Sequence, residues 1–479
     1  MERVPGTDRH ANTKGGFGLN RKAQRFFENL AGKTAAFCGY GRSNNLSIIR
    51  MFCENGAAVT VRDKRSREQL GEDADKIEAC GARLILGEEY LSHLTEDMIF
   101  RTPGMKFDLP ELQQAREGGS AVLSEMELFF ELCPCRIYAV TGSDGKTTTT
   151  SILSELWKAA GKRVHLGGNI GRALLPDIGE IGEDDVVVVE LSSFQLISMR
   201  KSADVAVVTN LSPNHLDMHK DMQEYVDAKK NVFLHQSAFG RVVLNADNDI
   251  TRSFAPLARG EVRFFSRKEK SARGAWADEN GDIRVGNGPV ILNEKEILIP
   301  GLHNVENYLA AFSAVAGEIA PEICAKVAKS FTGVEHRAEL TRVYRGVRYY
   351  NDSIASSPTR TEKGMLSLFP QKIILLAGGY DKHIPYDHLG EVIPKKVKIL
   401  ILMGATAGRI EEAVKKASDY SEGNPAIYRV NDMEEAVSLA FSLAKEGDIV
   451  SLSPASASFD LYKDFEERGR HFKALVAKL

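Results

Sequence analysis

No run of apolar residues in this chain reaches the roughly 18 that a membrane-spanning helix requires, so insertion into a bilayer is not expected. The opening stretch, MERVPGTDRHANTKGGFGLN, is polar and charged and has no apolar core of the kind a secretory signal needs. Residues 1–30 are therefore expected to form a flexible extension, and the protein is expected in the cytoplasm. Neither sign of charge is in excess. The formal net charge is -3 over 479 residues, without the basic stripe that a nucleic-acid-binding protein usually shows. Cysteine is sparse: Cys38, Cys53, Cys80, Cys133, Cys135 and Cys324 are scattered. Only Cys133 and Cys135 are close, and neither a second pair nor a nearby histidine completes a zinc site, so reduced thiols are expected. Internal repeats and low-complexity tracts are also absent.

What is present is a long alternation of strand and helix signals, with room for roughly three domains at about 150 residues each. In residues 31–124, TAAFCGYG reads as a strand ending in a glycine turn, NNLSIIRMFCENG as a helix stopped by Gly56, and AAVTVRD as the next strand. In residues 125–333, RIYAVTG, DVVVVEL, ADVAVVTNLS and GRVVLNADN read as strands. The near-continuous β-branched runs suit a parallel sheet covered on both faces. A polar, glycine-rich stretch from Arg267 to Pro300 suggests a small β excursion. Residues 334–479 repeat the alternation with GVRYYND, KIILLAGG, VKILILMG, AIYRV and DIVSLSP as strands. The expected fold is α/β in three domains: a Rossmann-like first, a central phosphate-loop-type ATPase domain with a mostly parallel sheet, and a Rossmann-like last.

The first domain carries an incomplete dinucleotide fingerprint. Gly39 and Gly41 follow the strand, but Asn44 stands where the third glycine would be. Asp63 lies about where a ribose-binding acid would sit. These residues alone leave a nucleotide moiety and a merely structural turn open.

The stretch AVTGSDGKTTTT, residues 139–150, follows a strand and precedes a helix, the setting of a phosphate loop. It lacks that loop's first glycine, since Val140 stands there. Backbone N–H groups at Gly142, Ser143, Asp144 and Gly145 can still approach phosphate oxygens at a helix N-terminus. Lys146 can reach β/γ-phosphates, and Thr147 or Thr148 can coordinate Mg²⁺. A nucleotide cradle is favoured over an ordinary turn. Glu190 ends a buried apolar strand, the end that faces the ligand crevice in open α/β sheets. A carboxylate there needs an ion pair or a metal, and a metal role is favoured. His215 follows another strand end in the same sheet. Downstream, at about 100° per residue from Tyr225, Lys229 falls near about 40° and Lys230 near about 140°. Lys229 thus shares a face with Tyr225, Ala228, Val232 and Phe233, where a lysine must find a partner or change its ionisation. Lys230 is expected to be a solvated charge.

Taken together, TGSDGKTT, ELSSFQL, HLDMH with its downstream Tyr and Ala-Lys, and GLHNVEN resemble the ATP-dependent Mur ligases, relatives of folylpolyglutamate synthase. The short phosphate loop is the family's own form. The C-terminal LSPASASFDLYKDFEERGRHF resembles the branch of the family that adds D-glutamate, and the D-N-P-R motif of branches adding diaminopimelate or lysine is absent.

The resemblance implies an ATP-dependent amide-bond-forming ligase of peptidoglycan precursor synthesis. Its substrates would be ATP, UDP-N-acetylmuramoyl-L-alanine and D-glutamate, and it would act as a monomer. Lys146 would bind ATP phosphates, Thr147 and Glu190 would hold one Mg²⁺, and His215 would help hold a second, Mn²⁺ being able to substitute. Lys229 would carry a carbamate made from CO₂. Asn304, Asn307, Arg337 and Asp352 match further ATP-binding positions. Ser43, Asp63, Arg65 and Arg42 match the site for the uridine diphosphate, and Gly104 and Asn169 match other contacts of that substrate. Lys382, Ser458, Phe459, Phe465 and Ser356 match the D-glutamate pocket. Ile354 departs from the pattern, standing where the family often has a lysine. A folylpolyglutamate-synthase-like ligase would begin near the phosphate loop, whereas this chain has a whole α/β block before it. A non-catalytic nucleotide-binding regulator on the same fold would have no need of Glu190, His215 and Lys229.

Overall fold

The computed structural model describes residues 20–41, 43–212 and 219–479. Arg42 and His215 lie outside the described residues, as does the stretch 1–19. The chain divides into two compact units: residues up to Asn293 together with Glu306–Val327, and Glu294–Val305 together with Ala328–Leu479.

Among the described residues, the first unit holds three sheets. Strands β1 (Thr34–Cys38), β2 (Ala58–Asp63), β3 (Arg83–Leu86), β4 (Met98–Arg101) and β5 (Ala121–Leu123) form a parallel sheet in the order β3-β2-β1-β4-β5. Strands β6 (Arg136–Thr141), β7 (Val164–Gly168), β8 (Val186–Glu190), β9 (Val205–Val208), β10 (Arg241–Asn245) and β11 (Glu261–Phe265) form a second parallel sheet in the order β11-β10-β9-β6-β8-β7. The polar stretch after Arg267 gives a three-stranded antiparallel sheet of β12 (Ala275–Ala277), β13 (Asp282–Val285) and β14 (Val290–Asn293). In the second unit, β15 (Glu339–Tyr344), β16 (Val347–Asn351), β17 (Ile373–Ala377), β18 (Val397–Leu402), β19 (Ala426–Arg429) and β20 (Ile449–Leu452) run in the order β15-β16-β20-β17-β18-β19. Only the edge strand β15 is antiparallel to its neighbour there.

All five residues of β8 are buried, as are all five of β17, which is what a strand covered by helices on both faces requires. The two parallel sheets of the first unit share one apolar core, which reaches from Ala23 to Phe254. Within it Phe37 and Phe100 stack at 4.7 Å with Phe52 edge-on to both. Such ring pairs add about 1 kcal/mol beyond the area they bury.

A boundary at residue 30 comes too late. Arg21–Glu28 is a helix with Ala23 and Phe27 fully buried. Asn20 caps it, and the Asn20 amide donates to the carbonyls of Leu132 and Ile178 at 3.1 and 3.0 Å. Ala23 and Phe27, four apart on one face, with the partly buried Phe26 beside them, are enough to dock this helix, although its remaining residues are polar. The strand β7 also escapes the sequence pattern. Its segment VHLGG carries two glycines that weaken the strand signal, and it lies at the sheet edge against β8.

Candidate active site

The parallel register of β6 and β8 sets Val140 beside Glu190, so the loop after β6 and the carboxylate ending β8 meet at one end of the sheet. The loop then runs into the helix Lys146–Ala159. Its shape depends on two glycines. Gly142 has φ 149° and Gly145 φ 77°, in the region that favours glycine. An added Cβ at Gly142 would collide with Thr209 Oγ1, and one at Gly145 with Asn307 Oδ1. The rest is held by the neighbouring strand end. Asp144 N donates to Asn210 Oδ1 at 2.9 Å, Thr209 Oγ1 donates to the Asp144 carbonyl at 2.6 Å, and Ser143 Oγ lies 3.0 Å from the Tyr225 hydroxyl.

Three groups converge on this loop. Lys146 Nζ donates to the Ser143 carbonyl at 2.8 Å. Thr147 Oγ1 donates to Glu190 Oε2 at 2.7 Å, and Asn169 Nδ2 donates to Glu190 Oε1 at 2.7 Å. Lys229 lies on the inner face of the helix Met222–Lys230, 2% exposed, as the helical phase predicts. Its Nζ donates to the Gly142 carbonyl at 2.9 Å and Thr141 Oγ1 at 3.2 Å, and sits 4.8 Å from the Tyr225 ring centroid. Burial lowers the Lys229 pKa well below the ordinary lysine value, and the charge of Lys146 lowers it further, against the opposing pull of Glu190. Lys230 is not a fully solvated charge. Its side chain is 17% exposed and pairs with Asp227 at 2.8 Å.

His219 was not among the residues singled out in the sequence. It is buried, its Nδ1 2.9 Å from Glu224 Oε1 and its Nε2 2.9 Å from Ser193 Oγ. The ring stacks on Phe194 at 5.0 Å and meets Tyr225 edge-on at 5.4 Å. It therefore ties the segment after Glu190 to the helix that carries Lys229. The motif HLDMH contains it, but nothing in the spacing separates it from its neighbours.

In the first sheet, Asp63 at the end of β2 accepts from Tyr40 N at 2.7 Å and from Arg65 Nε at 2.9 Å, while Arg65 also donates to the Tyr40 carbonyl at 2.6 Å. Arg65 thus closes the glycine turn over β2, its charge already facing a carboxylate. Asn44, in place of the third glycine, ties the ends of β1 and β4 by donating to the carbonyls of Cys38 and Phe100 at 3.2 and 3.1 Å. Ser43 and Asn169 line one cavity of about 170 Å³ with Pro103, Glu125 and Gln195. Gly104 lines a neighbouring cavity of about 260 Å³, which His219 and Phe194 also face.

Glu125 is buried in that smaller cavity, where its carboxylate accepts from Leu175 N at 3.2 Å. Burial pushes its pKa up to about 7, opposed by that single hydrogen bond. The folded value lies above the unfolded one. Its contribution to stability is therefore full below the unfolded pKa and is lost as pH rises towards about 7. Glu125→Gln should leave the melting temperature nearly unchanged at about pH 5 and raise it at about pH 8, with roughly 3 kcal/mol as the ceiling. Equal shifts at both pH values in thermal melts would contradict this.

In the second unit, the Ala338 N–H beside Arg337 donates to Asp352 Oδ1 at 3.1 Å, and Ser453 Oγ donates to Oδ2 at 2.7 Å. Burial raises the Asp352 pKa to about 7. Asn304 donates to the Pro300 carbonyl at 2.6 Å. Lys382 and Phe459 are brought together on the surface, with Nζ 5.8 Å from the ring. Ser458, next to Phe459 in sequence, is buried. Phe465 meets the His336 ring edge-on at 5.9 Å, and its carbonyl accepts from Ser353 Oγ at 2.8 Å. Ser356 and Ile354 are both half-buried, Ile354 N donating to the His336 carbonyl at 3.1 Å. Arg468, also missed in the sequence, is buried and donates to the carbonyls of Ser353, Ser456 and Ala457 at 2.9, 3.1 and 3.0 Å. It ties the backbone just after Asp352 to the backbone just before Ser458.

A phosphate loop beside a buried carboxylate and a buried lysine, on doubly covered parallel sheets, defines a nucleotide-using α/β enzyme. Two family models locate it further: the Mur ligase middle domain matches residues 140–315, and the Mur ligase glutamate ligase domain matches residues 336–456. The chain belongs to the Mur ligase family of ATP-dependent amide ligases. Among its relatives, the UDP-N-acetylmuramoylalanine–D-glutamate ligase of Acetivibrio thermocellus is 51% identical over 463 residues, covering 96% of this chain and 99% of the relative. The ligase of the same name from Ruminiclostridium cellulolyticum is 47% identical over 467 residues, covering 96% and 100%. Among solved structures, UDP-N-acetylmuramate-alanine ligase from Thermotoga maritima matches with a TM-score of 0.54 at 17% identity, covering 93% of this chain and 99% of that one. A UDP-N-acetylmuramoyl-L-alanyl-D-glutamate–2,6-diaminopimelate ligase matches with a TM-score of 0.55 at 17% identity, covering 88% and 92%. At that identity the likeness establishes the shared fold.

Proposed function

We propose that this protein joins D-glutamate to UDP-N-acetylmuramoyl-L-alanine, cleaving ATP to ADP and phosphate, in the cytoplasmic synthesis of peptidoglycan precursors. The observation that carries the reading is the convergence of Lys146, the Thr147–Glu190 pair and the buried Lys229 at one sheet end, in a chain so similar over nearly its whole length to ligases of that name. In this reading, residues 31–124 take the uridine diphosphate substrate, 125–333 take ATP, and 334–479 take D-glutamate.

The L-alanyl carboxylate attacks the γ-phosphorus of ATP, giving an acyl phosphate and ADP. The amine of D-glutamate then attacks the acyl carbon, phosphate leaves, and an amide remains. Gly142, Ser143, Asp144 and Gly145 present N–H groups to phosphate oxygens, while Lys146 and the helix N-terminus offset their charge as the two anions approach. Thr148 and Asn307 of the first unit, and Asn304, Arg337 and Asp352 of the second, are the further residues assigned to the nucleotide.

Oxygen ligands suit Mg²⁺. The Thr147 hydroxyl and the Glu190 carboxylate, already 2.7 Å apart, would hold one ion, and His215 with a carbamate on Lys229 would hold a second. Burial favours the neutral amine of Lys229, the form that combines with CO₂. Bound Mg²⁺ supplies positive charge to the transferring phosphoryl group. Ser43, Asp63, Arg65, Gly104 and Asn169, with Arg42, would position the nucleotide-sugar.

The direct test is phosphate release from ATP, which should require both UDP-N-acetylmuramoyl-L-alanine and D-glutamate. Release without either substrate, or with a pteroylglutamate as acceptor, would overturn the reading. Selection of the amino acid is placed at Lys382, Ser458, Phe459, Phe465 and Ser356. Ser458→Ala should therefore raise the KM for D-glutamate roughly tenfold, the loss of about one hydrogen bond to a charged group, and leave the KM values for ATP and the nucleotide-sugar nearly unchanged. Equal effects on all three would argue against this placement.

A further inference from the structure

Cys133 and Cys135 lie between the helix Glu125–Leu132 and β6, the strand that leads into the phosphate loop. Both thiols are free, and their sulfurs are 3.8 Å apart. Cys133 is half-buried and Cys135 buried. We propose that these two thiols form a self-resolving oxidation site, in which Cys133 reacts first with a peroxide and Cys135 closes a disulfide on it.

Three observations support this pair, the last of them setting it apart from Cys38, Cys53 and Cys324. The first is proximity: a disulfide needs sulfurs at about 2.05 Å, so side-chain rotation must close the gap by less than about 2 Å. The helix end and the strand stay in place, since Leu132 on one side and Ile137 on the other are core residues. The second is charge. At this helix end, two residues before Cys133, the Glu131 carboxylate gathers Lys201 at 3.4 Å and Lys22 at 4.0 Å. The hydrogen bond with Cys135 sets the Cys133 thiol below its ordinary pKa, against burial, and Lys201 offsets part of the opposing charge of Asp204. The same hydrogen bond, with burial, raises Cys135, which fits the later-acting partner. The third is contrast. Burial pushes Cys38 and Cys324 up to about 12 and Cys53 up to about 11, so those thiols stay protonated and slow.

The chemistry balances with hydrogen peroxide as the oxidant. The Cys133 thiolate attacks one peroxide oxygen, an S–O bond forms, the O–O bond breaks, and the departing hydroxide takes a proton to become water. Cys135 sulfur then attacks the Cys133 sulfenic acid, an S–S bond forms, the S–O bond breaks, and the second oxygen leaves as water with the Cys135 proton. Two thiols and one peroxide give one disulfide and two waters. A resolving thiol at this distance intercepts the sulfenic acid before irreversible oxidation to sulfinic acid.

The test uses the full reduced chain, treated with stoichiometric hydrogen peroxide and read by intact mass and peptide mapping. The expected result is the loss of two hydrogens, a 133–135 cross-link, and full recovery with dithiothreitol. With limiting iodoacetamide, Cys133 should be alkylated on the order of tenfold faster than Cys38 or Cys324. In Cys135→Ser, the Cys133 sulfenic acid should persist and be trapped by dimedone, whereas Cys133→Ser should show neither cross-link nor trapping at residue 135. Oxidation of the wild-type chain that leaves both thiols reduced, or that carries Cys133 to sulfinic acid without the cross-link, would overturn the proposal.

Discussion

Lys146→Ala is expected to lower ligase turnover by roughly 10²–10³-fold, the usual effect of removing one preorganised group that meets charge developing in the transition state. Lys146 opens the helix Lys146–Ala159 and is half-buried, with Nζ on the Ser143 carbonyl of its own loop. Alanine is a strong helix former, so the fold should persist and the melting temperature should change little. A folded variant that turns over like the wild type would remove Lys146 from the phosphate site. Loss of activity together with loss of the folded state would instead point to a structural role.

The second large effect is expected at Lys229. Lys229→Ala should abolish nearly all turnover, and added acetate should restore part of it by offering carboxylate oxygens where the carbamate would stand. Lys230→Ala should be close to neutral, since its partner is the half-exposed Asp227 and such pairs contribute about 0–1 kcal/mol. The two variants, each assayed with and without acetate, separate the roles. An inactive Lys229→Ala that acetate never rescues would exclude the carbamate and leave an ammonium role. An inactive Lys230→Ala would break the metal site proposed around its neighbour.

Much of this was legible in the sequence because it follows from periodicity. The β-branched run before Glu190 announces a strand buried on both faces, and its end announces the crevice. The inward face of Lys229 follows from the 3.6-residue period. The glycine spacing around Ser143 and Asp144 announces a loop between strand and helix. What remained hidden depends on partners distant in the chain. His219 gains its setting from Ser193, Phe194 and Glu224, and Arg468 gains its setting from the carbonyls of Ser353, Ser456 and Ala457, which no local pattern encodes. Likewise Arg65 has a charge that suits a diphosphate, but only the fold shows that Asp63 already holds it. The helix Arg21–Glu28 was lost among polar residues because two buried side chains suffice to dock it.

The two crowded glycines of the phosphate loop also limit what heritable variation can do there. Any side chain at residue 142 or 145 meets both a strained backbone angle and an occupied space, so drift at those positions is opposed in both ways. Ser143 between them is buried against Tyr225, and its hydroxyl also donates to the Ser212 carbonyl. Asp144 alone is exposed, and among the described residues it engages its neighbours through its backbone N–H and carbonyl. A population of neutral variants of this gene should therefore scatter at residue 144 and stay fixed at 142 and 145, so that the lineage of the loop is written in one codon out of four.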